Sequence, residues 1–205
     1  MNKRLNARYE EAKKTGTLNV SDMNLKELPT LPNYINRLDC SKNLLTTLPD
    51  IPESLTGLNC AWNTLTALPA LPDSLTELYC SYNKLTYLDK LPISLTHLYC
   101  NNNKLISLPI IPDSLTQLYC EENQLTSLPN LPALLTYLIC KKNPWNEDLK
   151  PILTNKEPIN ALRSYYNDSI CDQEEIATNT RQNYLYTMLV DNIYSIFRPI
   201  DDVEQ

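Results

Sequence analysis

Cysteine has the widest chemical range of the residues in this sequence, since a thiolate can act as a nucleophile, a redox partner or a metal ligand. Six of the seven cysteines recur at intervals of 20 residues: Cys40, Cys60, Cys80, Cys100, Cys120 and Cys140. Equal spacing places them in a line, whereas a zinc site needs ligands that converge tetrahedrally. We therefore interpret the six as a column of small, buried, unreactive side chains in a reducing compartment. A disulfide framework is the weaker alternative, because bridging would break the regular stacking of the repeats.

Other motifs for catalysis are missing from the sequence. The single histidine, His97, has no nucleophile placed beside it by a recognisable motif. With two glycines in the chain, neither a phosphate-binding nor a dinucleotide-binding glycine loop can form, and no H-E-x-x-H occurs. The seventh cysteine, Cys171, stands apart from the column. We predict that the protein is not an enzyme and has no catalytic residue, metal site or cofactor.

A repeat of 20 residues positions the cysteines. Its unit reads L-x-x-L-x-C-x-x-N-x-L-x-x-L-P-x-L-P-x-S and is complete in residues 75–94 except for Asp89 at a proline position. Leu78 and Cys80 alternate with outward residues, which predicts a short strand with one buried face. Strands repeated in this way stack in parallel about 4.8 Å apart. We expect the asparagine three residues after each cysteine to bond backbone groups in the turn. These asparagines are Asn43, Asn63, Asn83, Asn103, Asn123 and Asn143.

The second half of each unit predicts the opposite wall. Two prolines three residues apart exclude a helix and favour an extended, polyproline-like backbone. A worn copy of the unit begins near Leu18, so residues 18–143 hold about seven repeats. The predicted fold is an α/β repeat solenoid with a parallel concave β-sheet and a polyproline-like convex side.

Exposed apolar ends of a solenoid require caps, and we predict helical ones. Residues 1–17 form the first cap, with an amphipathic helix over 2–15 that carries Leu5 and Tyr9 and stops at Gly16. Residues 144–205 form a C-terminal cap or extension. There we expect Trp145 to cover the last coil, a short helix to begin at Pro158, and a longer helix to span 172–197.

Charge and hydropathy exclude several classes of partner. Residues 168–205 carry eight acidic and two basic side chains, which accounts for the whole net charge of −6. The basic stripe needed for nucleic-acid binding is absent, and no apolar run is long enough to span a membrane. The N-terminus lacks the apolar segment of a secretory signal. We predict a cytoplasmic protein, delivered, if it is secreted, by a route that does not use a signal peptide.

The outward strand positions predict a binding surface. Aromatic residues with a polar group dominate protein interfaces, and they cluster across coils three to seven. Glu121, Glu122, Lys141 and Lys142 would form a polar rim. Stabilisation of the sheet by neighbouring rings, without any partner, is the alternative. The residues predicted to bind a partner are Trp62, Tyr79, Tyr82, His97, Tyr99, Tyr119, Glu121 and Tyr137.

The doubled Leu-Pro wall of the 20-residue unit resembles the leucine-rich repeats of bacterial effectors of the YopM and IpaH type, over residues 18–143. The cysteine-bearing repeats also resemble those of large viruses that infect amoebae, so the source stays open. The resemblance implies a leucine-rich-repeat horseshoe, a pathogen or endosymbiont origin, and action on a protein inside a host cell. We therefore predict an effector or adaptor that binds a host or cellular protein through its concave face.

Two other functions stay open at this stage. IpaH-type enzymes transfer ubiquitin with a cysteine in a Cys-x-Asp motif. This sequence has Cys171 directly before Asp172, and too few residues follow the repeats to form that catalytic domain. A minimal ubiquitin-transfer enzyme that uses Cys171 is one alternative. The other is a structural protein that forms dimers through the helix 172–197.

Overall fold

The computed structural model describes residues 3–153 together with Ile159 and Leu162. Its centre is one parallel sheet of seven strands in chain order, each paired with the next in a register of 20 residues. This confirms the predicted leucine-rich-repeat solenoid with a parallel sheet. The strands are Thr17–Asn19 (β1), Arg37–Asp39 (β2), Gly57–Asn59 (β3), Glu77–Tyr79 (β4), His97–Tyr99 (β5), Gln117–Tyr119 (β6) and Tyr137–Ile139 (β7).

Leucine and cysteine columns fill the interior. The central leucine of each strand is buried, and each of the six repeat cysteines is at most 1% exposed. All six are free thiols. Because a single coil cannot bury its own apolar face, stacking of identical columns supplies the core. The cysteine column is therefore part of this core, as its spacing predicts.

The asparagine column ties each coil to the one before it. The Asn63 amide donates to the carbonyl of Cys60 in its own coil (3.1 Å) and of Cys40 in the preceding coil (3.0 Å). Its carbonyl oxygen accepts from the backbone N–H of Leu45 at 3.0 Å. The same set of bonds recurs at Asn123. These side chains satisfy backbone groups that the turn leaves unpaired, which confirms the predicted role.

The turn after each strand contains a feature that the repeat pattern does not predict. The residue two positions after each cysteine adopts a left-handed conformation, with φ between 54° and 58°. This left-handed conformation costs residues other than glycine about 1–2 kcal/mol. Because these residues come after the end of the strand, their side chains lie in the turn and not on the sheet. These residues are Lys42, Trp62, Tyr82, Asn102, Glu122 and Lys142.

A threonine column supports the other end of the strands. The Thr96 hydroxyl donates to the carbonyl of Thr76 at 2.9 Å, and Thr116 donates to Thr96 at 3.0 Å. On the convex side, the described segments between the strands contain turns and bends but no helix. This agrees with an extended wall, since helices are excluded by the paired prolines.

The N-terminal end is covered by helix α1, Lys3–Thr15, as predicted. Leu5 and Ala12 are buried under it, whereas Tyr9 is only half-buried. Gly16 ends the helix in the left-handed region, with φ of 70°, and its N–H donates to the carbonyl of Ala12 at 2.8 Å. Glycine fits this position because it has no Cβ.

At the other end, Trp145 is buried and its indole N–H donates to the carbonyl of Cys140 at 3.2 Å. A short helix, α2, spans Lys150–Leu153 and buries Leu153. Ile159 and Leu162, on the predicted helix from Pro158, are both helical, and the predicted helix 172–197 lies outside the described residues.

The described residues from Lys3 to Leu153, with Ile159, belong to one compact unit. The predicted boundary after residue 143 stays a prediction. Within the described residues, no helix combines the length and apolar character that a membrane crossing requires.

Candidate functional site

Four tyrosines form a continuous row on the concave sheet, which we call the tyrosine ladder: Tyr79, Tyr99, Tyr119 and Tyr137. The ring centroids of Tyr79 and Tyr99 are 4.9 Å apart in an edge-to-face arrangement. Tyr99 and Tyr119 follow at 4.0 Å, and Tyr119 and Tyr137 at 5.3 Å. The in-register strands β4 to β7 hold the rings at this spacing. The ladder is therefore a fixed aromatic surface.

The hydroxyl groups of the ladder form hydrogen bonds with neighbouring side chains. Tyr99 donates its hydroxyl hydrogen to Gln117 Oε1 at 2.8 Å. Tyr79 donates to Glu77 Oε2 at 3.4 Å. Burial raises the pKa of Tyr79, and burial followed by hydrogen bonding with Tyr99 raises the pKa of Tyr119. The hydroxyls of Tyr79 and Tyr119 are therefore protonated at neutral pH and able to donate hydrogen bonds.

Trp62 and Tyr82 form a separate pair in the turns. Their rings stack face to face, with centroids 3.7 Å apart and planes 9° from parallel. They are 53% and 38% exposed. Both residues have the left-handed backbone of the turn, so they lie past the ends of β3 and β4. The eight predicted partner-binding residues thus contain two aromatic clusters, one on the sheet and one on the turns.

His97 lies on the first position of β5, half-buried beside the ladder. Its Nδ1 lies 2.8 Å from the hydroxyl oxygen of Thr96, within hydrogen-bonding distance. The imidazole therefore contacts a member of the threonine column that supports the strands.

Glu121 is one of the residues predicted to bind a partner and to belong to the polar rim. It is half-buried, and its Oε2 is enclosed with no hydrogen-bond partner among the described residues. Burial is the main cause that raises the pKa of its carboxyl, and the charge of Glu122 adds to the effect. Two other residues of the predicted rim, Glu122 and Lys142, form an ion pair. The roles of Glu121 in the rim and in partner binding stay predictions.

The concave face of the first coils is polar. There Arg37 reaches across Gly57 to form an ion pair with Glu77, which also accepts from Tyr79. A Cβ at Gly57 would lie 3.2 Å from Arg37 Cζ, so the missing side chain makes room for the guanidinium. Below this bridge lies a cavity of about 330 Å³ whose lining includes Asp39. Sequence reasoning missed the bridge, although opposite charges two repeats apart with a glycine between them were a usable signal.

The repeat cysteines contribute no reactive group. Burial raises the pKa of Cys60, Cys80 and Cys100 well above that of an ordinary thiol, and the neighbouring cysteine adds to the shift. The nucleophilic thiolate is therefore suppressed. No group of three or more histidine, cysteine or acidic residues in the described part of the chain is placed to hold a metal ion. Cys171 lies outside that part, so ubiquitin transfer stays a prediction, as does dimerisation through 172–197.

Solved structures similar to this chain are leucine-rich-repeat effectors. YopM from Yersinia enterocolitica WA-314 is 39% identical, with a TM-score of 0.67 over 68% of this chain and 32% of that one. A Shigella effector leucine-rich-repeat domain is 31% identical, with a TM-score of 0.65 over 73% of this chain and 80% of that one. YopM from Yersinia pestis is 30% identical, with a TM-score of 0.57 over 74% of this chain and 51% of that one.

The chain thus spans about a third of the first of these proteins and about half of the Y. pestis YopM. No family model matches the sequence, and no curated protein matches it.

Proposed function

We propose that this chain, which belongs to the leucine-rich-repeat family of bacterial effectors that includes YopM and the Shigella effector domain, binds a protein partner through its concave face. The family membership supports an interaction module of the effector kind. The position of the partner on the molecule is our proposal. The single observation that carries it is the tyrosine ladder, because it combines aromatic area with polar groups on a fixed sheet.

The physical argument starts from the cost of ordering side chains on binding. A mobile side chain loses conformational entropy when it is immobilised in an interface, at about 0.5–1.5 kcal/mol each. Tyr99 and Tyr119 are already fixed by ring contacts 4.0 Å apart, and Tyr99 is also fixed by its bond to Gln117. Most of this cost is therefore met before a partner arrives. Tyrosine also gives a large contact area with a hydroxyl at its edge, which suits a protein surface.

The ends of the ladder provide electrostatic selection. At one end the Arg37–Glu77 ion pair adjoins Tyr79, and on the turn side the Glu122–Lys142 pair is exposed. Charges of both signs at the edge of an interface affect association rate and partner choice more than affinity. We propose that these pairs select the partner, while the aromatic rings supply most of the affinity.

We further propose that the protein acts in a reducing compartment, namely the cytoplasm of a host cell. The free, buried thiols of the cysteine column support this location, because structural disulfides are typical of oxidising compartments.

Quantitative capture tests the proposal. The full chain would be used as bait in host-cell lysate, beside the double variant Tyr99→Ala/Tyr119→Ala and the control Tyr34→Ala/Tyr87→Ala. The control removes two exposed tyrosines that lie off the ladder. We expect a specific partner to be retained by wild type and control and lost at least tenfold, about 1.4 kcal/mol, with the ladder variant. Circular dichroism at 25 °C must show that both variants are folded. Equal retention by all three proteins would refute the concave site.

A further inference from the structure

A groove of about 470 Å³ opens on the convex wall between residues 68–73 of one coil and 88–92 of the next. We call it the convex groove. Its lining includes Leu68 and Leu71 from the first coil and Leu88 and Leu91 from the second. It lies on the opposite side of the solenoid from the tyrosine ladder, so it plays no part in the proposed concave site.

The groove coincides with the one coil that departs from the repeat. Asp89 occupies a position that is proline in five other coils: Pro29, Pro49, Pro69, Pro109 and Pro129. Asp89 is exposed, and both leucines of the preceding coil, Leu68 and Leu71, are half-buried. At the same positions two coils further on, Leu108 and Ile111 are only 8% and 5% exposed. The apolar floor of the groove is therefore more accessible at Leu68 and Leu71 than the wall is in that coil.

The rim of the groove is mainly acidic. Glu53, Asp73 and Asp89 line it and are all exposed, and Lys90 is the single basic residue among its lining residues. Three carboxylates against one ammonium give a negative field over an apolar floor. A ligand that complements both features carries an apolar side chain beside a positive charge.

The backbone of the groove narrows the choice of ligand. Its walls include Pro69, Pro72 and Pro92, which have no N–H to donate. Addition of a β-strand needs a row of free backbone donors and acceptors, so this wall is a poor template for it. Recognition must therefore come from side chains.

We propose that the convex groove is a second docking site, which takes a partner segment with an apolar side chain next to lysine or arginine. The apolar side chain occupies the floor between Leu68 and Leu71, and the cation lies against Asp73 and Asp89. Attraction by exposed carboxylates is screened by salt, so binding weakens as ionic strength rises.

A titration followed by nuclear magnetic resonance tests this site. The probe is the peptide acetyl-Lys-Leu-Lys-Leu-Lys-amide, with acetyl-Glu-Leu-Glu-Leu-Glu-amide as its acidic counterpart. On the full, ¹⁵N-labelled chain we expect the basic peptide to shift the amides of Ala70, Asp73 and Lys90, while the acidic peptide leaves them unchanged. Filling the groove with Ala70→Trp, at an exposed residue, should abolish the shifts.

Matched charge variants separate the site from general attraction. Asp73→Asn/Asp89→Asn should weaken the basic peptide about fivefold, a typical effect of two exposed charges close to a ligand. The control Asp50→Asn/Asp113→Asn removes the same charge from exposed residues that do not line the groove and should change affinity less than about twofold. Tyr99→Ala/Tyr119→Ala should leave the peptide affinity unchanged, so failure here is distinguishable from failure of the concave site.

Four results of the titration would overturn the inference, and a fifth is self-association. They are equal weakening by the two charge pairs, equal shifts with the acidic peptide, shifts centred on the sheet, or persistent shifts in the folded Ala70→Trp variant. Self-association of the chain that Ala70→Trp removes would assign the groove to a second copy and equally overturn it.

Discussion

Two kinds of side-chain column run along this solenoid, and they differ in how regular they are. The asparagine column is the same in six successive coils, from Asn43 to Asn143, and its amides bond the backbone of their own coil and of the preceding one. The two concave columns that contribute to the ladder change along the chain. One runs from Asp39 and Asn59 through Tyr79, Tyr99 and Tyr119 to Ile139, and the other begins with Arg37 and ends with Tyr137.

This difference follows from what each column must satisfy. The six turns from Asn43 to Asn143 leave the same backbone donors and acceptors unpaired, so each of these coils uses the same asparagine. Nothing in the backbone requires a particular side chain on the concave face. The variable columns are therefore free to carry a binding surface, while the constant column carries stability. The predictions below test this division.

The largest effect on stability is expected in the constant column. Asn123→Ala removes donors to the carbonyls of Cys100 and Cys120, both at 3.1 Å, and the acceptor of the Leu105 N–H at 3.0 Å. Buried groups left unpaired cost about 1–3 kcal/mol each, so we expect a loss of about 3 kcal/mol. Urea denaturation measures it. The control variant Gln124→Ala, at the neighbouring exposed residue, should lose less than about 0.5 kcal/mol of unfolding free energy. Equal losses for the two variants would contradict the stabilising role of the asparagine column.

A smaller effect is expected in the cysteine column, where polarity rather than hydrogen bonding is decisive. Cys100→Ser and Cys100→Ala both remove the sulfur from a fully buried site. The serine variant in addition buries a hydroxyl. Burial of an unpaired hydroxyl costs about 1–3 kcal/mol in proteins, so the serine variant should be less stable than the alanine variant by that amount. Equal midpoints in urea would show that the column accepts polar groups.

Glu121 directly follows Cys120 in the sequence. The contribution of its side chain to the free energy of unfolding depends on pH. Burial raises its pKa in the folded state above the unfolded value, so its protonated form favours folding and its ionised form opposes it. Its contribution is most favourable below about pH 4, the unfolded carboxyl pKa, and is lost as pH rises through the folded pKa. Glu121→Gln should therefore raise the denaturation midpoint at pH 7 but not near pH 3.5. A lower midpoint at pH 7 would mean that the buried oxygen has a favourable partner.

The smallest change is expected at the bridge on the polar face. Gly57→Ala places a Cβ 3.2 Å from Arg37 Cζ, so the guanidinium must move and the ion pair with Glu77 weakens. Exposed ion pairs contribute about 0–1 kcal/mol. Replacement of glycine by alanine gains about 0.4–1 kcal/mol through the unfolded state. The two effects oppose each other, and we expect a net change below about 0.5 kcal/mol in urea. A loss above about 2 kcal/mol would show that the bridge is essential to the fold.

The sequence predicted the features that repeat and missed those that depend on local contacts. A period of 20 residues was enough to place the strands, the leucine and cysteine columns and the asparagine bonds. The left-handed turn could not be predicted because Lys42, Trp62 and Tyr82 occupy it instead of glycine. For this reason the sequence places Trp62 and Tyr82 in the same predicted surface as the tyrosine ladder, although they lie on the turns. The burial of Glu121 and the ion pair that Arg37 forms across Gly57 could not be predicted either, because each depends on the conformation of one side chain.

Site-specific photo-crosslinking tests most directly whether the tyrosine ladder is a binding surface. Tyr137 on the ladder and Tyr87 off it are equally exposed, at 49% each, so they form a matched pair. Benzoylphenylalanine would replace one or the other in the full chain, which is then irradiated in host cells. We predict a specific covalent adduct with one protein from position 137 and none from position 87. Equal adducts at both positions, or an adduct only at position 87, would contradict the concave binding site.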